Sequence, residues 1–199
     1  MNRPTILLTT AALAFGTLVP VAVAGPAAAA PRTGGTASAS ARGPLAAAVE
    51  HSHPQVLSVA GAGVYRIGAS LSTLTANGHI GWTAPACGGV VHAGSTGSWA
   101  GVFVLAFRDG RLVEVGTATA PPQSPAGATV GMSFDELEAI YGRRGSLIRN
   151  DAGAAEAYLV RVGSRVELFT GHPIRPGVGY FQVGPASFVE RNFRAGPAC

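Results

Sequence analysis

Three histidines and a group of serines are the residues of this sequence that could support nucleophilic hydrolysis. His79, His92 and His172 are candidate general bases, and Ser95-Thr96-Gly97-Ser98 follows His92 closely. Hydrolysis of this kind needs a nucleophile, a base and a group that orients the base. The chain lacks the G-x-S-x-G turn that presents a serine nucleophile in many hydrolases, and G-S-T-G-S is typical of a loop. A hydrolase that uses His92 or His172 is therefore an alternative and not the leading interpretation.

Acidic and metal-binding patterns are equally sparse. Glu114 and Glu167 occupy matching positions in two similar segments, and a pair of carboxylates can do acid–base chemistry; duplication of a segment explains the match without catalysis. His51 and His53 could bind a metal weakly beside Glu50, but no H-E-x-x-H pattern or cysteine cluster accompanies them. The sequence predicts no cofactor, no metal and no catalytic residue.

The first 24 residues have the pattern of a secretory signal peptide. Arg3 precedes an apolar run from Ile6 to Val23, and Ala22-Val23-Ala24 fits a small-x-small cleavage site. A second possible site is Ala27-Ala28-Ala29. A membrane anchor is the alternative, which the shortness of the apolar run disfavours. We therefore expect an exported, extracellular protein without a membrane span after cleavage, in which the loss of Arg3 lowers the formal charge from +4 to +3.

Residues 25–56 are rich in alanine, glycine, serine and proline and hold almost no large apolar side chains. Such a segment cannot bury enough surface to offset its ordering entropy, so it is predicted to be a disordered leader. Residues 57–199 are then one compact domain. The basic side chains are all arginines, and they are scattered; nucleic-acid binding would need them to be clustered, so no nucleic-acid partner is expected.

Two segments of the domain repeat one another. Val64–Ala76 and Thr129–Gly142 each read as an extended entry, a glycine and a helix. Ser133 is a good N-cap, and Glu136 completes a capping box. A hairpin follows each helix, around Asp109-Gly110 in the first copy and around Gly163-Ser164 in the second. The predicted strands are 99–107, 112–117, 157–162 and 165–170.

This pattern predicts an α+β fold built as a tandem repeat, with copies at about 60–125 and 126–199. Each copy has a helix followed by antiparallel strands, and it has too few elements to bury its own apolar side. We expect the two copies to share one antiparallel sheet with the helices on one face.

One face of the predicted sheet is small and apolar where a solvated face would be polar. We hypothesise that it is a recognition surface. The alternative is that a C-terminal segment, either 179–183 or 188–194, covers it. The candidate binding face consists of Ala100, Val102, Val104, Ala106, Arg108, Leu159, Arg161, Arg165 and Glu167.

The entry Gly131–Leu137, which has the form G-M-S-x-x-E-[LV], resembles that of the beta-lactamase inhibitor proteins and of related small outer-membrane assembly lipoproteins. The chain is also similar to secreted actinobacterial proteins with paired glycines, a mid-domain cysteine, a Tyr-Gly after the second helix and a closing cysteine. The corresponding residues here are Gly63, Gly68, Cys87, Tyr141-Gly142 and Cys199. The resemblance implies the two-module fold. This chain differs from the inhibitors in its cysteines, because the inhibitors have a disulfide in each module. None of their inhibitory contact residues has a match in this sequence.

Cys87 and Cys199 are the two cysteines of the chain. In an exported protein they are expected to pair with each other, and closing so long a loop stabilises the fold by about 4–5 kcal/mol in a chain-entropy estimate. The alternative is a reactive thiol, but the sequence shows no feature that would lower the pKa of either cysteine.

The leading functional expectation is an exported, non-catalytic binding module for a protein or cell-envelope partner, including inhibition of an extracellular enzyme. The alternatives are the extracellular hydrolase and a structural component of the envelope.

Overall fold

The computed structural model describes residues 55–197. The predicted signal peptide 1–24, the leader as far as residue 54 with His51 and His53, and Cys199 lie outside this part. The described chain contains ten strands: β1 Gly61–Ala62, β2 Tyr65–Arg66, β3 Ile80–Pro85, β4 Val90–Ser95, β5 Val104–Arg108, β6 Arg111–Thr117, β7 Gly145–Arg149, β8 Glu156–Val162, β9 Arg165–Gly171 and β10 Val178–Pro185. Its helices are α1 Leu71–Ala76, α2 Phe134–Tyr141 and α3 Val189–Ala195.

Eight of the strands form one antiparallel sheet in the order β3-β4-β5-β6-β10-β9-β8-β7, and β1 pairs with β2 separately. The last strand in the sequence, β10, therefore lies near the middle of the sheet. It pairs with β6 on one side and with β9 on the other. In this way β10 joins the strands that follow α1 to those that follow α2.

The helices α1 and α2 pack on one face of the sheet. Ser133 caps the N-terminus of α2. Its hydroxyl accepts from the Glu136 backbone N–H while the Glu136 carboxylate accepts from the Ser133 backbone N–H, which confirms the predicted capping box. The stacked rings of Phe169 and Phe181, with centroids 4.3 Å apart, belong to this core. Other members are Leu74, Leu105, Phe107, Leu112, Val115, Leu137, Tyr141, Val160 and Val183.

Helix α3 packs on the opposite face. Phe188, which precedes it, and Val189 in its first turn are almost fully buried. They belong to a second apolar cluster with strand residues whose side chains alternate with those of the first core, as expected for a sheet covered on both sides. The strand members are Val90, Ala106, Ala157, Leu159, Val166 and Leu168.

The predicted fold class is therefore wrong. The helices lie on both faces of the sheet and not on one, and they are only six, eight and seven residues long beside an eight-stranded sheet. A helix followed by a hairpin is also not the unit that builds the fold, because β3, β4, β7 and β10 were not expected. The physical reason is that the sheet is apolar on both faces, so one layer of helices leaves the second face uncovered.

Other details of the strand prediction differ as well. The segment Gly97–Trp99 is a short 3-10 turn, and β5 starts only at Val104. The second hairpin is confirmed, with β8 and β9 within one residue of the predicted bounds.

Among residues 55–197, none of the helices is long and apolar enough to cross a membrane.

Candidate binding face

Helix α3, with Phe188 before it, contacts four of the residues predicted to form the recognition surface, of which Arg161 keeps 55 % of its side chain exposed. Ala106 and Leu159 are 3 % and 4 % exposed within its apolar cluster. The guanidinium of Arg108 lies 4.7 Å from the centroid of the Phe188 ring. Arg161 donates from Nη2 to Oε1 of Glu190 in α3 at 2.7 Å. The alternative that the segment 188–194 covers the face is thus confirmed for this half of the sheet.

Three other predicted residues belong to the side of the first core or to its rim. Val102 packs against the first core. Glu167 is 4 % exposed and accepts from the Tyr141 hydroxyl of α2, and Arg165 donates from Nη1 to the Val59 carbonyl at 3.2 Å. The assignment of Glu167 to the recognition surface is wrong because Arg161 pairs with Val166, and a residue next to Val166 points to the other face.

Two other predicted residues, Ala100 and Val104, are also exposed. Ala100 follows the 3-10 turn and is not part of a strand. Val104, at the start of β5, is 39 % exposed on the same face of the sheet as Ala106. Of the predicted strand residues, Val104 therefore marks the part of this face that α3 leaves uncovered.

Val104 belongs to a row of directly paired residues that crosses five strands. Trp82 pairs with Gly94, and Gly94 with Val104. Gly116 pairs with Val104 and, on its other side, with Gln182. In the next row, His92 and Glu114 both pair with Ala106. We call the uncovered surface the open face; it consists of Trp82, His92, Val104, Glu114, Tyr180 and Gln182.

Two aromatic rings of the open face lie over glycines. A Cβ atom at Gly94 would overlap the indole of Trp82, and one at Gly116 would overlap the phenol of Tyr180. The rings occupy the space that side chains at these two positions would take, so both rest on the backbone of the sheet. Trp82 is nevertheless 51 % exposed, so a large apolar surface remains in contact with solvent.

Glu114 is the ionisable centre of the open face. Tyr180 donates to its Oε1 at 3.5 Å, and the Gln182 amide nitrogen, oriented toward the carboxylate, lies 2.9 Å from the same oxygen. Burial raises the pKa of Glu114 from 4.5 to about 7, against the opposite effect of the Tyr180 hydrogen bond. Burial, with the nearby charge of Glu114, also raises the pKa of Tyr180. Neither Tyr180, Glu114 nor Gln182 was singled out for this site from the sequence.

A second polar group lies on the side of α2. The Tyr141 hydroxyl donates to Glu167 Oε2 at 2.6 Å and lies 2.6 Å from Ser124 Oγ. Burial raises the pKa of Glu167, while the Tyr141 hydrogen bond and the charge of Arg144 lower it. Arg144 itself donates to backbone carbonyls of α2 at Ile140 and Tyr141. These contacts tie α2 to β9.

The histidines and serines considered for hydrolysis are not brought together. His92 lies on the open face, whereas Ser95, three residues along β4, is 5 % exposed and donates to the Trp99 carbonyl. His172 accepts at Nδ1 from the backbone N–H groups of Ile174 and Arg175, both at 3.1 Å. Within residues 55–197, no group of three His, Cys, Asp or Glu side chains is placed to hold a metal ion.

The predicted disulfide joins a described residue to one outside the described part. Cys87 begins a short turn between β3 and β4. Val90, three residues later, shares an apolar cluster with Phe188 and Val189 at the start of the last helix. The C-terminal helix and the Cys87 turn thus border the same cluster, and the Cys87–Cys199 pairing stays a prediction.

No protein-family model matches the chain. No curated protein matches it significantly. Among solved structures, it is similar to an extracellular protein containing an SCP domain from Bacillus anthracis, with a TM-score of 0.44, 10 % identity and coverage of 63 % of this chain and 46 % of that one. A cysteine-rich secretory protein from Staphylococcus aureus gives a TM-score of 0.41, 11 % identity and coverage of 62 % and 46 %. The chain thus spans just under half the length of these proteins, and likenesses at this level establish neither a shared fold nor a function.

Proposed function

We propose that the protein is an exported, non-catalytic binding module whose open face contacts a partner outside the cell, and that this partner is a protein such as an extracellular enzyme. The observation that carries the proposal is the exposed row around Val104, where an indole and a valine side chain face solvent on a sheet. A solvated face of an antiparallel sheet is ordinarily polar, so an exposed apolar row needs another explanation.

The composition of the open face supports a protein partner. Tryptophan and tyrosine are enriched among the residues that dominate protein–protein binding energies. Trp82 and Tyr180 rest on the sheet backbone over Gly94 and Gly116. Side chains held in this way lose little conformational entropy when a partner covers them. His92 and Glu114 lie in the next row, and Gln182 lies at the end of the Val104 row, so polar groups border the apolar side chains, as is usual at protein interfaces.

A capture experiment tests this proposal. The purified protein is immobilised and exposed to secretions and envelope extracts of its source and of neighbouring microbes, and bound proteins are identified by mass spectrometry. Capture of one enzyme by the wild type, lost with Trp82→Ala and with Val104→Asp, would support the proposal. Ile174→Asp is the matched control, because Ile174 is 87 % exposed in the loop between β9 and β10. Capture that survives both open-face substitutions would contradict it.

Export is tested separately. The segment 1–35, which contains both possible cleavage sites, is fused to a reporter that folds only outside the cytoplasm, and the N-terminus of the secreted chain is sequenced. Cleavage after Ala24 or Ala29 is expected, and a reporter retained in the cell would contradict the proposed export.

A further inference from the structure

The open face brings an apolar surface and a carboxylate side by side, and this inference rests on the function proposed above. We propose that the partner presents an arginine or lysine side chain to the open face, with its aliphatic stem on Val104 between Trp82 and Tyr180 and its charged head at the carboxylate of Glu114.

The apolar part of this site follows from the strand register. Both direct cross-strand neighbours of Val104 are glycines, Gly94 and Gly116, and each carries an aromatic ring above it. Neighbouring strands lie about 4.8 Å apart, so Gly94 and Gly116 are roughly 10 Å from one another with Val104 midway. The Trp82 indole lies over Gly94, and the hydroxyl end of Tyr180 lies over Gly116. Val104, at 39 % exposure, supplies an apolar surface between them.

The polar end of the site lies one row away. Glu114 pairs with Ala106, two residues along β5 from Val104, so it is a diagonal neighbour of Val104 across the strand pair. Diagonal positions on one sheet face lie within reach of long side chains. A lysine or arginine stem that rests on Val104 can therefore bring its head to the Glu114 carboxylate.

The carboxylate retains capacity for a further donor. Both of its close partners, the Tyr180 hydroxyl and the Gln182 amide, reach Oε1, and Oε2 has only a contact of 3.3 Å with the same amide nitrogen among the described residues. An ionised carboxylate accepts about four hydrogen bonds. An arginine head can donate to it in a bidentate manner.

Charge favours a cation over a neutral or anionic group. Glu114 is the acidic residue of the open face, and the faces of Trp82 and Tyr180 attract cations as well. On the strands next to Glu114, the charged or titratable groups on this side of the sheet are His92 on β4, Arg108 on β5 and Tyr180 on β10. Farther along the same side, Arg161 on β8 is paired with Glu190 of α3. The guanidinium of Arg108 is already stacked on Phe188 at 4.7 Å, and none of the ion pairs among the described residues involves Glu114, so its carboxylate lacks a cationic partner there.

The test uses a pair of probes that differ only in charge. The peptide acetyl-Gly-Arg-Gly-amide and the same peptide with citrulline, the neutral analogue of arginine, are titrated into the full-length secreted protein, and the Trp82 indole and Val104 amide signals are followed by NMR. At neutral to alkaline pH, the arginine peptide is expected to bind at least about tenfold more tightly than the citrulline peptide, since loss of a close charge pair costs this much or more.

Two substitutions locate the site. Glu114→Gln is expected to abolish the preference for arginine, and Trp82→Ala is expected to weaken binding of both peptides. Glu138→Gln is the matched control, because Glu138 is exposed on α2 at the other face. Equal binding of the two peptides, no binding of the arginine peptide at millimolar concentrations, or an arginine preference that survives Glu114→Gln would each overturn the inference.

The same variants separate this inference from the proposed function. A partner whose capture depends on Trp82 but not on Glu114 would be consistent with the proposed binding module. The same result would contradict the inference that the partner places an arginine or lysine at Glu114. A partner whose capture depends on neither Trp82 nor Glu114 would contradict the proposed function as well. Selective binding of a polysaccharide in place of any cationic peptide would also overturn the inference.

Discussion

Phe188 is the side chain through which α3 closes half of the second sheet face, and its removal gives a quantitative prediction. The ring is 4 % exposed, and it packs against the β-strand cluster and beneath the Arg108 guanidinium. Phe188→Ala is expected to lower the free energy of unfolding by about 3–5 kcal/mol, as for other buried phenylalanines. For a domain of roughly 150 residues this corresponds to a decrease in Tm of about 10 °C.

The assay is thermal unfolding followed by circular dichroism, with Arg191→Ala as the control. Arg191 lies on the same helix and is exposed, so its substitution is expected to change stability by about 0.5 kcal/mol or less. If the Tm of Phe188→Ala fell by less than about 3 °C, α3 would not cover this face, and the division into a covered half and an open face would be refuted.

The remaining predictions concern the open face and the cysteines. Val104→Asp is expected to cost about 1 kcal/mol or less, whereas Ala106→Asp, at a residue only 3 % exposed, should unfold the domain because it buries an unpaired charge; equal Tm values for the two variants would contradict the placement of α3. Since the pKa of Glu114 is raised from 4.5 to about 7 in the folded protein, the folded state binds the proton more tightly, and stability is lost as pH rises from about 4.5 to about 7. The Tm of Glu114→Gln relative to the wild type should therefore increase across this window, and a pH-independent difference would show that burial does not shift this carboxyl. Titration of the denatured, unreduced protein should find no free thiol if Cys87 and Cys199 are paired, and two free thiols would exclude the disulfide.

Features encoded in short stretches of sequence could be predicted. Helix α2 follows from Ser133 and Glu136, whose reciprocal hydrogen bonds are local, and the second hairpin follows from two strands around Gly163-Ser164. These elements depend on residues a few positions apart, so their signals survive without knowledge of the rest of the fold.

The layers of the fold depend on pairings between distant segments. Strand β10 lies between β6 and β9, and its pairing with β6 joins residues more than sixty positions apart. No local pattern specifies such a neighbour. The helix α3 also has a weak apolar pattern, since Glu190, Arg191, Asn192 and Arg194 surround Phe193. The sequence therefore offered coverage of the second face by this helix only as one of several alternatives.

The sequence identified only part of the candidate site, because the site too combines residues from distant strands. The alternation along β5 identified Val104 as a residue of the apolar face, and the structure keeps it exposed. Trp82 and Tyr180 escaped notice because β3 and β10 were not recognised as strands, and the bulge between Ile80 and Trp82 interrupts the alternation along β3. Glu167 was assigned to the wrong face because the hairpin register, which pairs Arg161 with Val166, cannot be read from the two strands separately.

The central claim is that the open face is a binding surface, and the most direct measurement is the change in Kd for the captured partner when Trp82 is replaced by alanine. The account predicts that affinity decreases by about thirtyfold or more, as expected for an aromatic residue that dominates the binding energy of an interface, while Tm stays close to that of the wild type and Ile174→Ala binds normally. An unchanged Kd for Trp82→Ala, with the partner still bound, would contradict the claim.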